Sequence, residues 1–264
     1  MENAQRFKDK IARGNICLGT GITFTDPTVT EALSSFLDFL WIDMEHNALS
    51  LEVVQSHIIS AKGSEAAAIV RVPWNDPVLI KPVLDIGADG VIVPMVRTAE
   101  EALRAVQACR YPPDGIRGIG PRRPYYGQMD FREFWKKANA TLLAIVQIEH
   151  IDAVNNLDQI LRVRGINSLV LGPMDLSASM GHTGEPQHPD VSRAIDSVIE
   201  RARRARMPVG VGSGEDPDGL IKWIDKGIQW LQMGSDYTLM LRAVQQVKKR
   251  LSEARTQIAR AEEI

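Results

Sequence analysis

Hydrophobic and polar positions along this chain follow two alternating rhythms. Short apolar runs rich in β-branched residues, each closed by turn residues, read as buried strands. Between them, apolar residues recur every three or four positions, the spacing of a helix with one buried face. After an opening helix at residues 7–13, strands are predicted at 16–20, 39–46, 66–72, 90–96, 142–146, 168–171, 208–212 and 230–235. Helices are predicted from Asp26-Pro27 through Val29, Leu33 and Phe36, at 51–61, from Pro77 to Ile86, and at 99–109, 151–163, 191–206 and 216–226, with a last one from Thr238 onward. A proline just inside a helix start, as at Pro27, suits the first turn, where no amide donor is needed. Residues 111–132 form a longer connection carrying Pro112-Pro113-Asp114-Gly115 and Gly118-Ile119-Gly120-Pro121.

Strand–helix alternation without a linker or a shift in composition predicts one (β/α)₈ TIM barrel, α/β in class, over residues 1–264. The last helix outruns what barrel closure needs. It sets Leu241, Val244 and Val247 on one face, which predicts packing against a partner subunit.

Composition narrows the partners. The chain has 31 basic and 33 acidic residues and a net charge of −2, so nothing electrostatic favours nucleic acid. The basic run Arg201-Ala202-Arg203-Arg204-Ala205-Arg206 reads as a solvated helix face. Cys17 and Cys109 match no metal-ligand spacing and are expected as buried thiols in a reducing cytoplasm. No apolar signal core opens the chain and no run is long enough to span a bilayer, so a soluble, cytoplasmic protein with no membrane partner is expected.

In such a barrel the chemistry sits at the C-terminal ends of the strands. Asp43, Glu45 and His46 follow the second strand and Arg71 ends the third. Gln147 and Glu149 close the fifth, and Gly172, Pro173, Met174 and Asp175 follow the sixth. The fifth and sixth strands are joined by one right-handed crossover, so Glu149 and Asp175 emerge side by side. Paired hard oxygen ligands beside a Gly-Pro turn suit a divalent cation and an anionic substrate. Asp43, three residues before His46, is placed to hold the imidazole in one tautomer and make it a general base. Arg71 lies in an apolar strand, where its charge calls for an acid or a ligand. Gly212-Ser213-Gly214 and Ser235-Asp236 close the ring. His57, His150, His182 and His188 have no such company and read as surface or structural residues. The predicted strands contain no lysine, so a Schiff-base mechanism has no nucleophile. No Gly-x-Gly-x-x-Gly follows the first strand, which argues against a nicotinamide site.

Five segments closely resemble motifs of the HpcH/HpaI aldolase family: Trp41-Ile42-Asp43-Met44-Glu45-His46, Val70 to Asp76, Tyr111 to Gly118, Val146-Gln147-Ile148-Glu149 and Leu171 to Ser177. The similarity runs from about Gly14 to Leu251, with the motifs in order. It implies a metal-dependent class II pyruvate aldolase acting on 4-hydroxy-2-oxo acids, with pyruvate and an aldehyde as products. Glu149 and Asp175 would ligate Mg²⁺, Mn²⁺ or Co²⁺, with Gln147 beside them. Arg71 would stabilise the enolate, and the backbone amides of Gly172 to Asp175 would hold the pyruvate carboxylate. His46, oriented by Asp43, would act as acid/base through a water on the metal. Asp85 would reach the site of a neighbouring subunit in a hexamer built as a trimer of dimers. Met44, Asn47-Ala48-Leu49 and Gly212 depart from the family pattern around the aldehyde pocket. A CoA-thioester lyase of the malyl-CoA or citryl-CoA type and a catalytically silent ligand-binding barrel are the alternatives.

Overall fold

The computed structural model describes residues 2–120, 125–126 and 129–262, with side chains to residue 255. Pro121, within the long connection, and the last residues of the charged C-terminus lie outside the described residues.

Eight strands, β1 (Cys17–Ile22), β2 (Phe39–Asp43), β3 (Ala67–Arg71), β4 (Gly90–Val93), β5 (Leu143–Ile148), β6 (Ser168–Leu171), β7 (Val209–Ser213) and β8 (Trp230–Ser235), close into a barrel in sequence order. Every neighbouring pair is parallel, including β1 with β8. The helices are α1 (Glu2–Ala12), α2 (Pro27–Ser34), α3 (Leu51–Ser60), α4 (Pro77–Asp85), α5 (Ala99–Cys109), α6 (Phe131–Thr141), α7 (Ile151–Asn155), α8 (Leu157–Ile160), α9 (Pro173–Ser179), α10 (Pro189–Arg204), α11 (Pro217–Asp225) and α12 (Asp236–Glu262). The expected (β/α)₈ barrel is the fold observed. Asp26, Ser50, Asp76 and Asp216 each cap the helix that follows, accepting a first-turn amide on their side chains.

Four elements depart from expectation, each for a local reason. The second strand stops at Asp43 because that carboxylate turns back to accept the Glu45 amide at 3.1 Å. The fourth stops at Val93, since Pro94 has no amide to donate and Met95 takes a positive φ of 55°. The predicted helix at 151–163 breaks at Asn156, whose side chain leaves the helix to donate to the Arg97 carbonyl. Helix α6 fills a stretch for which no element was expected. Its Phe134 and Ala138 pack with Tyr111 in a small satellite core.

Two apolar layers follow from the period-two alternation of the strands. Phe39, Trp41, Ala67, Ile69, Leu143, Ile145 and Val170 face inward with Trp230, and Phe7 of α1 plugs the lower end. Leu40, Ile42, Ala68, Val70, Ala144 and Val146 face outward under the helices. Trp230 fills the barrel centre and donates from Nε1 to Ser168 Oγ at 2.8 Å. Only glycine fits at 210, because a Cβ there would lie 2.0 Å from the Trp230 ring.

Candidate active site

The same alternation that buries the inner core delivers the polar groups. Two positions beyond Trp41, β2 points Asp43 inward. In the same way β3 carries Arg71 beyond Ile69, and β5 carries Gln147 and Glu149 beyond Ile145. These groups surround a cavity of about 520 Å³ at the C-terminal end of the barrel. Asp43, His46, Arg71, Gln147, Gly172, Pro173, Met174, Asp175 and Gly212 all line it, so most of the predicted site residues meet in one place. Glu149 is only 3% exposed and sits directly behind this lining.

Glu149 is held from two sides. The Met95 amide donates to its Oε1 at 2.7 Å, and Gln147 Nε2 donates to its Oε2. Met95 adopts its left-handed backbone conformation where it makes this bond, which is where strain commonly accompanies function. Gly172 must be glycine, because a Cβ would stand 2.8 Å from Glu149 Oε2 and 3.1 Å from Gln147 Nε2. Burial, reinforced by the charges of Glu45 and Asp175, pushes the Glu149 carboxyl up to about 7 against the Met95 bond. Burial likewise pushes Glu45 up to about 7, although Arg71 opposes the shift.

Arg71 donates in a fork to Asp43, Nε to Oδ1 and Nη2 to Oδ2, both at 2.8 Å. Its Nη1 lies 3.0 Å from Glu45 Oε2, and its guanidinium lies over the Trp41 ring at 5.2 Å. Among the described residues lining the cavity, it is the only lysine or arginine. Asp43, Glu45, Glu149 and Asp175 therefore outnumber the cations facing them. The buried Gln147 Oε1 also has no hydrogen-bond donor among the described residues. An acid-rich cluster of oxygens has the chemistry of a divalent-cation site.

Two expectations need correction. Asp43 does not hold His46: its oxygens are taken by Arg71, by the Glu45 amide and by Asn47 Nδ2 at 2.7 Å. The carboxylate nearest the imidazole is Glu45, with Oε2 3.6 Å from His46 Nε2. The amides of Gly172 to Asp175 are not all available, since Gly172 donates to the Ile148 carbonyl at 3.2 Å and Pro173 has no N–H. Met174 and Asp175 keep the first-turn amides that a helix leaves unbonded. Arg71, whose burial in an apolar strand calls for an acid, finds two in Asp43 and Glu45.

Asp85 closes α4, on the side of the barrel away from the mouth, and is paired with Arg117 at 2.7 Å. Sequence reasoning missed Met95 and left Glu45 without a role. An isolated Pro94-Met95 pair carries no signal of a strained amide. Glu45 was visible at the mouth but not as the group between Arg71 and His46. Asp236 anchors the opposite rim, accepting from the amides of Thr23 and Phe24 at 2.8 and 3.0 Å.

Residues 24–260 match the family model described as HpcH/HpaI aldolase/citrate lyase. A 4-hydroxy-2-oxo-heptane-1,7-dioate aldolase of Shigella sonnei is 36% identical, with 98% of each chain covered. A hydroxypyruvate/pyruvate aldolase of Roseovarius nubinhibens is also 36% identical, over 91% of this chain and 94% of its own. The crystal structure of a family protein from Burkholderia cenocepacia superposes with a TM-score of 0.87 at 31% identity, covering 94% of this chain and 98% of that one. With these likenesses and the barrel-mouth geometry together, the chain belongs to the HpcH/HpaI aldolase/citrate lyase family and is a carbon–carbon lyase.

Proposed function

We propose that the chain, acting as one barrel domain in the cytoplasm, is a class II pyruvate aldolase that reversibly cleaves 4-hydroxy-2-oxo acids to pyruvate and an aldehyde. The observation that carries this reading is the meeting of Arg71, Gln147 and Asp175 around one cavity, with Glu149 held behind them. Glu149 and Asp175 would hold a divalent cation, Mg²⁺, Mn²⁺ or Co²⁺, which when bound supplies Lewis-acid polarisation of the keto oxygen. Arg71, fixed by its fork to Asp43, stabilises the negative charge that develops on that oxygen. The amides of Met174 and Asp175 receive the substrate carboxylate. In cleavage His46 takes the C4 hydroxyl proton, the C3–C4 bond breaks, and its electron pair passes to the pyruvate enolate. A proton returned to C3 completes pyruvate. His46, with its side chain 61% exposed, is open to a substrate entering the mouth.

The CoA-thioester lyase has no specific feature of the mouth in its favour. A silent barrel would not need an acid-rich cluster around a forked arginine. The test is pyruvate release from a 4-hydroxy-2-oxo acid before and after chelation. Activity should vanish with chelator and return with Mg²⁺, Mn²⁺ or Co²⁺. Full activity in excess chelator, or borohydride trapping with pyruvate, would overturn the reading.

The assembly proposed is a hexamer, a trimer of dimers. Met240, Leu241, Val244, Val247 and Leu251 of α12 are each at least half exposed, an apolar stripe left without cover in the single chain. Asp85, turned from its own mouth, would then complete a neighbour's site. Hybrids of Asp85→Ala and His46→Ala chains should regain activity that neither has alone, and a fully active monomer in light scattering would refute the arrangement.

A further inference from the structure

On the rim of the barrel, the chain between α9 and α10 makes two tight turns in succession. The Glu185 amide donates to the His182 carbonyl and the His188 amide to the Glu185 carbonyl, each at 2.9 Å. Gly184, at a φ of +83°, supplies the left-handed residue that the tight path requires. These turns fold His182 back over His188, and the two rings stack with centroids 3.5 Å apart and 15° between planes. Asp190 closes the group. Its Oδ2 lies 3.4 Å from His182 Nε2 and 3.8 Å from His188 Nδ1, while Arg193 occupies its other oxygen, Oδ1.

We propose that His182, His188 and Asp190 form a second metal site, for a borderline divalent cation of the Zn²⁺ class. The three donor atoms lie within 4.8 Å of one another. Bonds of about 2.0–2.1 Å from a tetrahedral Zn²⁺ set neighbouring ligands about 3.3 Å apart. The two Asp190 separations are near that value already, and the partly exposed rings, now stacked, turn out of their stack so that both lone pairs reach one cation. Arg193 acts here as an outer partner, orienting the carboxylate and leaving Oδ2 free to ligate. The Asp190 amide donates to His188 Nδ1 at 3.2 Å, so a cation ligated there takes that lone pair in place of the cap bond. Two imidazoles and one carboxylate select Zn²⁺, Ni²⁺ or Co²⁺ over Mg²⁺, the reverse of the all-oxygen cluster at the mouth.

The role of this site is to clamp the rim. The His182 amide donates to the Ser177 carbonyl at 2.8 Å, so the loop continues directly from the helix that bears Asp175. A cation bridging His182 to His188 and Asp190 ties the end of α9 to the start of α10, and so steadies one wall of the mouth.

The test uses the full chain with Glu149→Gln and Asp175→Asn, which removes the mouth ligands. Titrated with Zn²⁺ against a chromophoric chelator, it should bind one equivalent, and Mg²⁺ in large excess should not displace it. Co²⁺ should give the visible absorption of a nitrogen–oxygen site. Adding His182→Gln should weaken Zn²⁺ at least tenfold and abolish that absorption. His182→Gln spares the His188 cap of α10, so the fold, followed by circular dichroism, should stay intact. No Zn²⁺ bound by the chain with its histidines intact, or unchanged binding after His182→Gln, would overturn the site. Loss of a separate equivalent between wild type and the Glu149→Gln, Asp175→Asn chain reports on the mouth alone, so the two assignments fail independently.

Discussion

The two halves of the barrel mouth are built differently. From β2 through β6 the rim is charged and tightly held: Asp43 grips Arg71 in a fork, and Glu149 is bonded by both Met95 and Gln147. From β7 through β8 to β1 it is built of Gly212, Ser213, Gly214, Ser235 and Gly21. A Cβ at Gly172, on the charged side, would collide with Glu149, whereas one at Gly212 would meet Gln232 Oε1 at 3.3 Å and Trp41 at 3.7 Å. The first half leaves no freedom to the groups proposed to handle pyruvate. Around Gly212 and Gly214 the second leaves more room, which suits a site proposed to accept different aldehydes. On the proposed function, reaction type and acceptor choice would reside on opposite walls.

Breaking the charged wall at its centre should have the largest effect. Arg71→Ala removes the cation from the developing enolate and leaves Asp43 and Glu45 facing each other unpaired. Aldol cleavage should fall by about 10²–10³-fold while circular dichroism shows a folded barrel. Turnover like wild type would mean that this wall does not carry the reaction.

Crowding the same wall should come next. Gly172→Ala drives a methyl into Glu149, and Mn²⁺ affinity measured calorimetrically should drop by about 10–100-fold. Unchanged affinity would remove Glu149 from the ligand set.

The pH response sharpens the contrast, since only the charged wall should titrate near neutrality. Glu45 and Glu149, both raised to about 7 by burial, bind protons more tightly in the folded chain than in the unfolded one. Their contribution to stability is thus fully present below the ordinary carboxylate value of about 4.3. It is lost as pH rises through 7. Chelator-treated protein should lose melting temperature over that window. Added Mn²⁺ should restore more at pH 8 than at pH 5.5, and an equal rise at both would contradict it.

The smallest effect is expected on the open wall. Gly212→Leu should lower kcat/KM for bulky acceptor aldehydes about tenfold relative to the shortest, with the KM for pyruvate unchanged. A change in pyruvate KM instead would show that the two walls are not separate.

Much of this architecture is legible in the amino-acid sequence alone, because periodicity is a local property. Eight apolar runs at strand length, separated by helical repeats and capped by Asp26-Pro27, Asp76-Pro77 and Asp216-Pro217, specify a parallel barrel by their own spacing. The period-two alternation then dictates that Asp43, Arg71, Gln147 and Glu149 share the inner face of their strands' upper ends. What the alternation could not decide is which acid serves which cation. Asp43 and His46 are close in sequence, yet Asp43 turns to Arg71 on the adjacent strand, where a forked guanidinium makes two charge-assisted bonds. Nor could it reveal that Met95 donates to a carboxylate 54 positions away, or that His182 and His188 stack through two consecutive turns. Strand period and helix caps are set by neighbours along the chain, so the sequence determined the barrel and the residues at its mouth. Ion pairing and ring stacking depend on groups that only the closed barrel and its loops bring within a few ångströms, so the tertiary structure alone decided how those residues are partnered.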